Sequence, residues 1–392
     1  MKYRTLFLAG GWLALSVVSC FGYGREGHET VGGIAAERLA GTPTAAKVNE
    51  LLDGIPLDFA AQIPDSIKSW DRSGGSEEDP RGFRMFNHPQ IEAQLRAFWE
   101  ANRPGEGNDD AHPSHHWFHY TDVPVDGNEK YADGKVGRSQ WDIVHMINYC
   151  FRVLSGAEPE QNPRAITKPV AVILLAHYIG DLHQPLHVGA EYFDNARPAN
   201  PDTDPRALPD EGGNSLMLTL TSPATADAEF SKKRPRLHSF WDNNAVKLLL
   251  AQVAAEIKKA NPAHAADVPF PEFVHYLAKT EPPNWKPAST LAPKDWAEAW
   301  ANEILPVARE AHDRLMFMQI QPKTERGKQV AVGAAVEKAG QKPSYADWAA
   351  GVVRVEIQKG GYRLAAVLDQ ALKAPAAPAP VTAAPSPRPA GL

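Results

Sequence analysis

The chain has 392 residues, 43% of them hydrophobic, which is enough to bury a sizeable core and excludes global disorder. Its formal net charge is −6, so it lacks the basic balance of proteins that hold polyanions by Lys and Arg alone. Any phosphate binding therefore needs local positive charge, which metal ions can supply.

From the N-terminus, Lys2 and Arg4 precede a mainly apolar stretch over 6–18, with small residues at Cys20 and Gly22. This pattern predicts an export signal over 1–22, and hence a secreted or periplasmic protein. The stretch is short and Gly-interrupted, so no membrane span is expected there, nor at any later point. Val17-Val18-Ser19-Cys20 also resembles a bacterial lipoprotein cleavage site, which leaves lipidation of Cys20 as an alternative. The two cysteines are Cys20 and Cys150. Cleavage after Cys20 leaves no intramolecular disulfide and no Cys-based zinc site, so any metal must use His, Asp and Glu.

Helical periodicity then appears over 28–39, 143–154, 169–182 and 241–259. It returns over 296–320, where Pro306 should interrupt it, and over 345–373. Residues 71–113 and 190–213 are rich in Gly, Pro, Asp and Asn and read as long loops. Residues 215–221 alternate and predict one strand of a small hairpin. From residue 374 the chain is Ala/Pro-rich and is expected to be a disordered tail. The fold class is mostly α, with the domain expected over 23–373.

The strongest chemical signal is the segment from His177 to His187. His177 and Asp181 are spaced i, i+4 on a helix and project from one face, where two ligands can reach the same ion. His187 follows Pro185 and can approach from another direction. Taken alone, the pair reads as a helix with polar residues facing solvent. His238 and Asp242 repeat the spacing on a second helix, and two such pairs can converge in a bundle as a multinuclear site. His119 lies among aromatic residues and reads alone as a buried structural histidine; His112, His115 and His116 crowd the same stretch. Asp65 reads equally as a helix N-cap.

The chain resembles the trinuclear zinc single-strand nucleases and 3′-nucleotidases of the mung-bean-nuclease type, within the phospholipase C/nuclease superfamily. The matching elements run in order. They are Tyr23-Gly24-x-x-Gly27-His28, Ile63-Pro64-Asp65, His119-Tyr120-x-Asp122, the block from His177 to His187, Gly212-Gly213-Asn214, Leu237-His238-x-x-Trp241-Asp242, and the run from Lys359 to Ala365. The resemblance implies a single-domain helical bundle and three zinc ions. One would be held by Asp65, His119, His177 and Asp181, and a second by His187, His238 and Asp242. The third would take the terminal amine and carbonyl of Tyr23, His28, and Asp181 as a bridge. It implies catalytic roles for Asp65, Asp181 and Lys68, and base contacts from Tyr120, Asp122 and Asn243. The implied reaction is hydrolysis of single-stranded DNA and RNA and of 3′-nucleotides, leaving 5′-phosphates, by a monomer with no stable protein partner.

Two departures stand out. Tyr23 replaces the usual Trp, and Lys68 replaces Arg, which keeps the charge but loses the guanidinium fork. Lys68 also reads as an ordinary solvated lysine, and Tyr120 as core. Two rivals remain. One is a phospholipase C-like phosphodiesterase, disfavoured by Asp242 where that family carries Glu and by the Tyr120/Asp122 pair. The other is an exported, non-catalytic protein with structural zinc.

Overall fold

A computed structural model describes residues 23–75, 82–221, 234–261, 268–325 and 327–373. The export signal expected over 1–22 and the tail expected from 374 lie outside the described residues.

The fold is mostly α. Its centre is α8 (Lys168–Leu182), whose side chains are buried all round from Val170 to Leu182. A helix apolar on every face has to be surrounded, and α1 (Arg25–Leu39), α7 (Ile143–Ser155) and α13 (Tyr345–Ala371) pack around it. Each boundary has a local cause. Thr167 caps α8 through the Val170 amide, Pro169 occupies its first turn, and Asp142 caps α7 through the His145 amide. Gly156 ends α7 with φ of 78°, the left-handed conformation that closes a helix.

Short helices α2 (Pro43–Leu51), α3 (Leu57–Ala60), α4 (Ile63–Ser66) and α5 (Ser69–Ser73) follow α1. The stretch read as a loop over 71–113 contains α6 (Pro89–Ala101). Ile91, Leu95, Phe98 and Trp99 form its buried stripe, a helical spacing that the Gly- and Asp-rich flanks obscure. The second expected loop, 190–213, is tied by short strands. β1 (Val123–Pro124) pairs in parallel with β2 (Gly189–Ala190), and β3 (Tyr192–Asp194) lies between β4 (Arg197–Pro198) and β5 (Leu208–Pro209).

Three expectations are corrected. The strand within 215–221, β6 (Leu216–Thr219), is not half of a hairpin. The helix expected over 241–259 starts earlier, as α9 (Leu237–Ser239), passes through a π-turn at Phe240–Asn244, and continues as α10 (Ala245–Ala260). After α11 (Phe270–Ala278), the helix expected over 296–320 is α12 (Trp296–Asp313), which passes through Pro306 and stops before 315. Burial of Trp300, Ile304, Leu305 and Ala308 against the core carries the helix past a proline that costs about 3 kcal/mol in isolation. Residues 315–320 begin the missed hairpin, β7 (Leu315–Glu325) and β8 (Lys328–Glu337), and β6 adds to β8 in parallel. Leu, Met and Phe in that run suit either element, and cross-strand pairing decides it.

The long α13 crosses α1 at glycine. A Cβ on Gly361 would stand 2.5 Å from Ile34, whereas one on Gly351 would meet nothing within 4 Å. Gly361→Ala should destabilise the protein by about 1–3 kcal/mol through overpacking. Gly351→Ala, on the exposed face, should stabilise it by about 0.5–1 kcal/mol through helix propensity. Thermal unfolding of the two variants checks the crossing: a lower Tm for the first and a higher Tm for the second.

Candidate metal centre

Two polar residues of α8, His177 and Asp181, are fully buried. Asp181 divides its two oxygens between two sides. Oδ2 faces His119 Nδ1 at 2.9 Å and His177 Nε2 at 3.1 Å. Oδ1 faces His28 Nε2 at 3.2 Å. Asp65 completes the first side, its Oδ1 lying 3.6 Å from His177 Nε2. On the second side the rings of His28 and His177 stack at 3.8 Å. That approach of α1 to α8 needs Gly180, because a Cβ there would stand 2.8 Å from His28 Nδ1. A third cluster joins His187, His238 and Asp242, with His238 Nε2 at 3.1 Å from His187 Nε2 and 3.6 Å from Asp242 Oδ2.

Two features fit these donor sets to cations. Imidazole nitrogens face each other, His177 Nε2 to His119 Nδ1 at 3.0 Å and His187 Nε2 to His238 Nε2. Two neutral rings meeting this way share at most one proton, whereas a cation between them uses both lone pairs. The outward nitrogens are already committed. His177 Nδ1 donates to Ala61 O, His187 Nδ1 to His119 O and His238 Nδ1 to Gly212 O, each at 2.7 Å. Such bonds fix the tautomer that turns a lone pair inward. His28 Nδ1 is buried with no hydrogen-bond partner among the described residues, and His28 Nε2 and Asp181 Oδ1, although 3.2 Å apart, do not meet in hydrogen-bond geometry. Groups left in that state are costly unless a cation satisfies them.

Electrostatics differ from group to group: burial would lower the His177 imidazole, but the charges of Asp181 and Asp65 outweigh it and raise it. Burial lowers the His28 and His119 imidazoles, with help from His177 on the first and Lys68 on the second, and so favours the neutral, ligating form. Burial pushes the Asp242 carboxyl well up and the charges of Asp181 and Asp65 push it further, against the hydrogen bond from Gln184. Burial would raise Asp65 too, but Lys68 and the surrounding imidazoles outweigh it and hold it at about 2.

The expected site residues fall as follows. Asp65 is not an N-cap: Gln62 occupies that position of α4, and Asp65 sits inside the first turn. Lys68 is not a solvated lysine: it is buried, and its ammonium lies 2.7 Å from Asp65 Oδ1. His119 is buried and joins Asp65 and His177 in a cluster that could hold a metal ion. Tyr120, Asp122 and Asn243 are half-buried, so Tyr120 is not core. Burial, then the charges of Asp210 and Glu211, push the Asp122 carboxyl up to about 8. Asn243 lies over the start of α1, where a Cβ on Gly24 would stand 2.4 Å from Asn243 Oδ1. The Gly24 amide donates to Asp242 O at 2.7 Å, which ties the N-terminal segment to the third cluster. The Tyr23 ring is buried and its hydroxyl donates to His183 O at 2.7 Å.

Sequence reasoning gave no role to Gln184, whose amide donates to Asp242 Oδ1 at 2.9 Å, or to the Gly212 carbonyl that orients His238. Both lie in motifs that the sequence displays, without a spacing that announces a task. It also missed a fourth group, Asp71 with His115 and His116.

A family profile for S1/P1 nucleases matches residues 23–373. The chain belongs to the S1/P1 nuclease family. Among curated relatives, it is 23% identical to endonuclease 2 of Arabidopsis thaliana over 60% of each chain. It is 26% identical to endonuclease 5 of that plant over 56% of this chain, and 26% identical to endonuclease 4 over 35%. The match spans 40%, 60% and 55% of the lengths of endonucleases 4, 2 and 5. For this member of the family, the buried His/Asp clusters are the groups suited to metal.

If one carboxylate serves two clusters, its loss should be felt twice. Asp181→Asn should release more metal per chain than Asp65→Asn, measured by elemental analysis after desalting. Equal losses would show that Asp181 faces a single ion.

Proposed function

We propose that the chain is an exported, zinc-dependent phosphodiesterase that cleaves single-stranded nucleic acids and removes the 3′-phosphate of nucleotides. The observation that carries this reading is the Asp181 carboxylate split between two clusters of inward-facing imidazoles, with a third cluster alongside. In this reading Asp65, His119, His177 and Asp181 hold one zinc, and His187, His238 and Asp242 a second. His28, Asp181 and the terminal amine and carbonyl of Tyr23 hold the third. When bound, the metal supplies Lewis-acid polarisation at phosphorus and acidifies water.

The chain's own groups do the rest. Asp65, Asp181 and Asp242 together carry less charge than three zinc ions, so the centre attracts phosphate although the whole chain is acidic. Lys68, held against Asp65, adds a cation for the charge that develops on phosphorus. Asp65, held ionised by Lys68, orients attacking water by accepting its hydrogen bond. Tyr120 offers a half-buried ring on which a base can stack, a contact of about 1–3 kcal/mol that any base satisfies and a paired base does not present. Asp122 and Asn243 border the base. Family membership and the Tyr120/Asp122 pair favour nucleic acid over a phospholipid substrate.

Chelation should abolish activity and zinc should restore it, with release from single-stranded DNA and from a 3′-nucleotide but not from phosphatidylcholine. Hydrolysis of phosphatidylcholine alone would favour the phospholipase reading. Full zinc loading without hydrolysis of any of the three would favour a structural role.

The third zinc places a demand on processing. A backbone nitrogen ligates only as a terminal amine, since in a peptide bond its lone pair is delocalised. Cleavage should therefore fall after Gly22. Mass spectrometry of the mature protein should find Tyr23 first; a lipidated Cys20 terminus on an active, fully metallated chain would remove Tyr23 from the ligand set.

A further inference from the structure

Asp71 lies on α5, the short helix that begins directly after Lys68. Its carboxylate accepts three N–H groups: Trp99 Nε1 at 2.7 Å, His115 Nε2 at 3.1 Å and His116 Nε2 at 2.7 Å. One half-buried charge thereby joins α5, α6 and the 3₁₀ segment His115–His119, which carries His119. The three side chains differ in exposure. His115 is 1% exposed and Asp71 13%, but His116 is 40% exposed.

His, His and Asp within 4.8 Å of one another also make a candidate cation site. The bonding argues otherwise. Every contact here pairs a donor with an acceptor, unlike the facing imidazoles of the metal centre. His115 Nδ1 is buried with no hydrogen-bond partner among the described residues. Ligation through Nε2 would leave a proton on that nitrogen with no acceptor, whereas donation from Nε2 to Asp71 leaves only a lone pair there. Asp71 is therefore satisfied by N–H groups, and it fixes the orientation of an imidazole that faces solvent.

The location of that imidazole suggests its use. A 3₁₀ segment has three residues per turn, so His116 and His119 share a face, separated by a rise of about 6 Å. That is comparable to one nucleotide step along an extended strand. On the other side, the Asp71 amide donates to Lys68 O at 3.3 Å, and the Lys68 ammonium sits on Asp65. Burial, with a smaller effect from the Lys68 charge, lowers the His119 imidazole, so Lys68 lies within electrostatic reach of the metal centre. Lys68 thus stands beside Asp65 of the metal centre and directly before the short helix whose Asp71 holds His116. His116 gives Nε2–H to Asp71, and Nδ1 has no partner among the described residues. In its protonated form the ring donates Nδ1–H to an anion, a charge-assisted bond backed by the Asp71 carboxylate.

We propose that His116, oriented by Asp71, binds a phosphate of a single-stranded polynucleotide next to the phosphate held at the metal centre. The proposal rests on the nuclease reading above and deepens it: the site takes a strand, not only a nucleotide. His116 is the binding residue and Asp71 the positioning residue.

The test compares His116→Ala, His116→Lys and Asp71→Asn in the metal-loaded full chain, on a single-stranded decanucleotide and on a 3′-mononucleotide. The ratio of kcat/KM for the oligonucleotide to that for the mononucleotide should fall about tenfold in His116→Ala, mainly through KM. It should fall less in Asp71→Asn and recover in His116→Lys. The log–log salt dependence of oligonucleotide KM should become shallower by about 0.7 in His116→Ala, one phosphate contact on a single strand. An unchanged ratio in His116→Ala would overturn the proposal. So would loss of one metal equivalent in that variant, which would make the group a cation site. A parent chain that cleaves neither substrate would refute the nuclease reading itself.

Discussion

The carboxylate of Asp181 is the constraint around which the rest is arranged. A fully buried anion at the end of an apolar helix is tolerable only if charge comes to meet it. The fold brings imidazoles to both of its oxygens: His119 and His177 to one, His28 to the other. Each neighbour is held by something else. Gly180 lets α1 come close enough for His28, and the Ala61 carbonyl turns His177. The His119 carbonyl turns His187, so the first cluster orients a member of the third. Donor sets of this kind are incomplete as hydrogen-bond networks and suited to a cation. Metal binding and folding are expected to be coupled here, since the cations would supply what the buried groups lack.

The acidic chain and its proposed anionic substrate are reconciled by this local arrangement. Net charge acts at long range, where salt screens it over about 8–10 Å, while the site acts at contact distance. Lys68 shows how charge is held for use: buried against Asp65, it loses freedom but keeps a fixed position beside the cluster. Asp71 does for His116 what Asp65 does for Lys68, one short helix further along the chain.

Much of the centre was legible in the sequence because helical geometry converts spacing into direction. His177 with Asp181, and His238 with Asp242, each span one turn, and two such turns on neighbouring helices can converge. The second pair survives a π-turn at Phe240–Asn244, which no periodicity argument would register. Asp65, His28 and His119 carry no such spacing, and only their order within a family pattern pointed to them. Groups that act through backbone, such as the carbonyls of Ala61 and Gly212, leave no side-chain signal at all. Asp71, His115 and His116 were hidden by composition, since they lie in or beside a Gly- and Asp-rich stretch that reads as loop. The β7–β8 hairpin was missed for a related reason: Leu, Met and Phe serve helix and strand alike until a partner strand is known.

The central claim is that one carboxylate serves two ions. Anomalous diffraction at the zinc edge from crystals of the purified mature protein tests it most directly. Three peaks should appear, one among Asp65, His119 and His177, one beside His28, and one among His187, His238 and Asp242, with Asp181 oxygens bonded to the first two. A single peak, or an Asp181 carboxylate bonded to only one ion, would contradict the account.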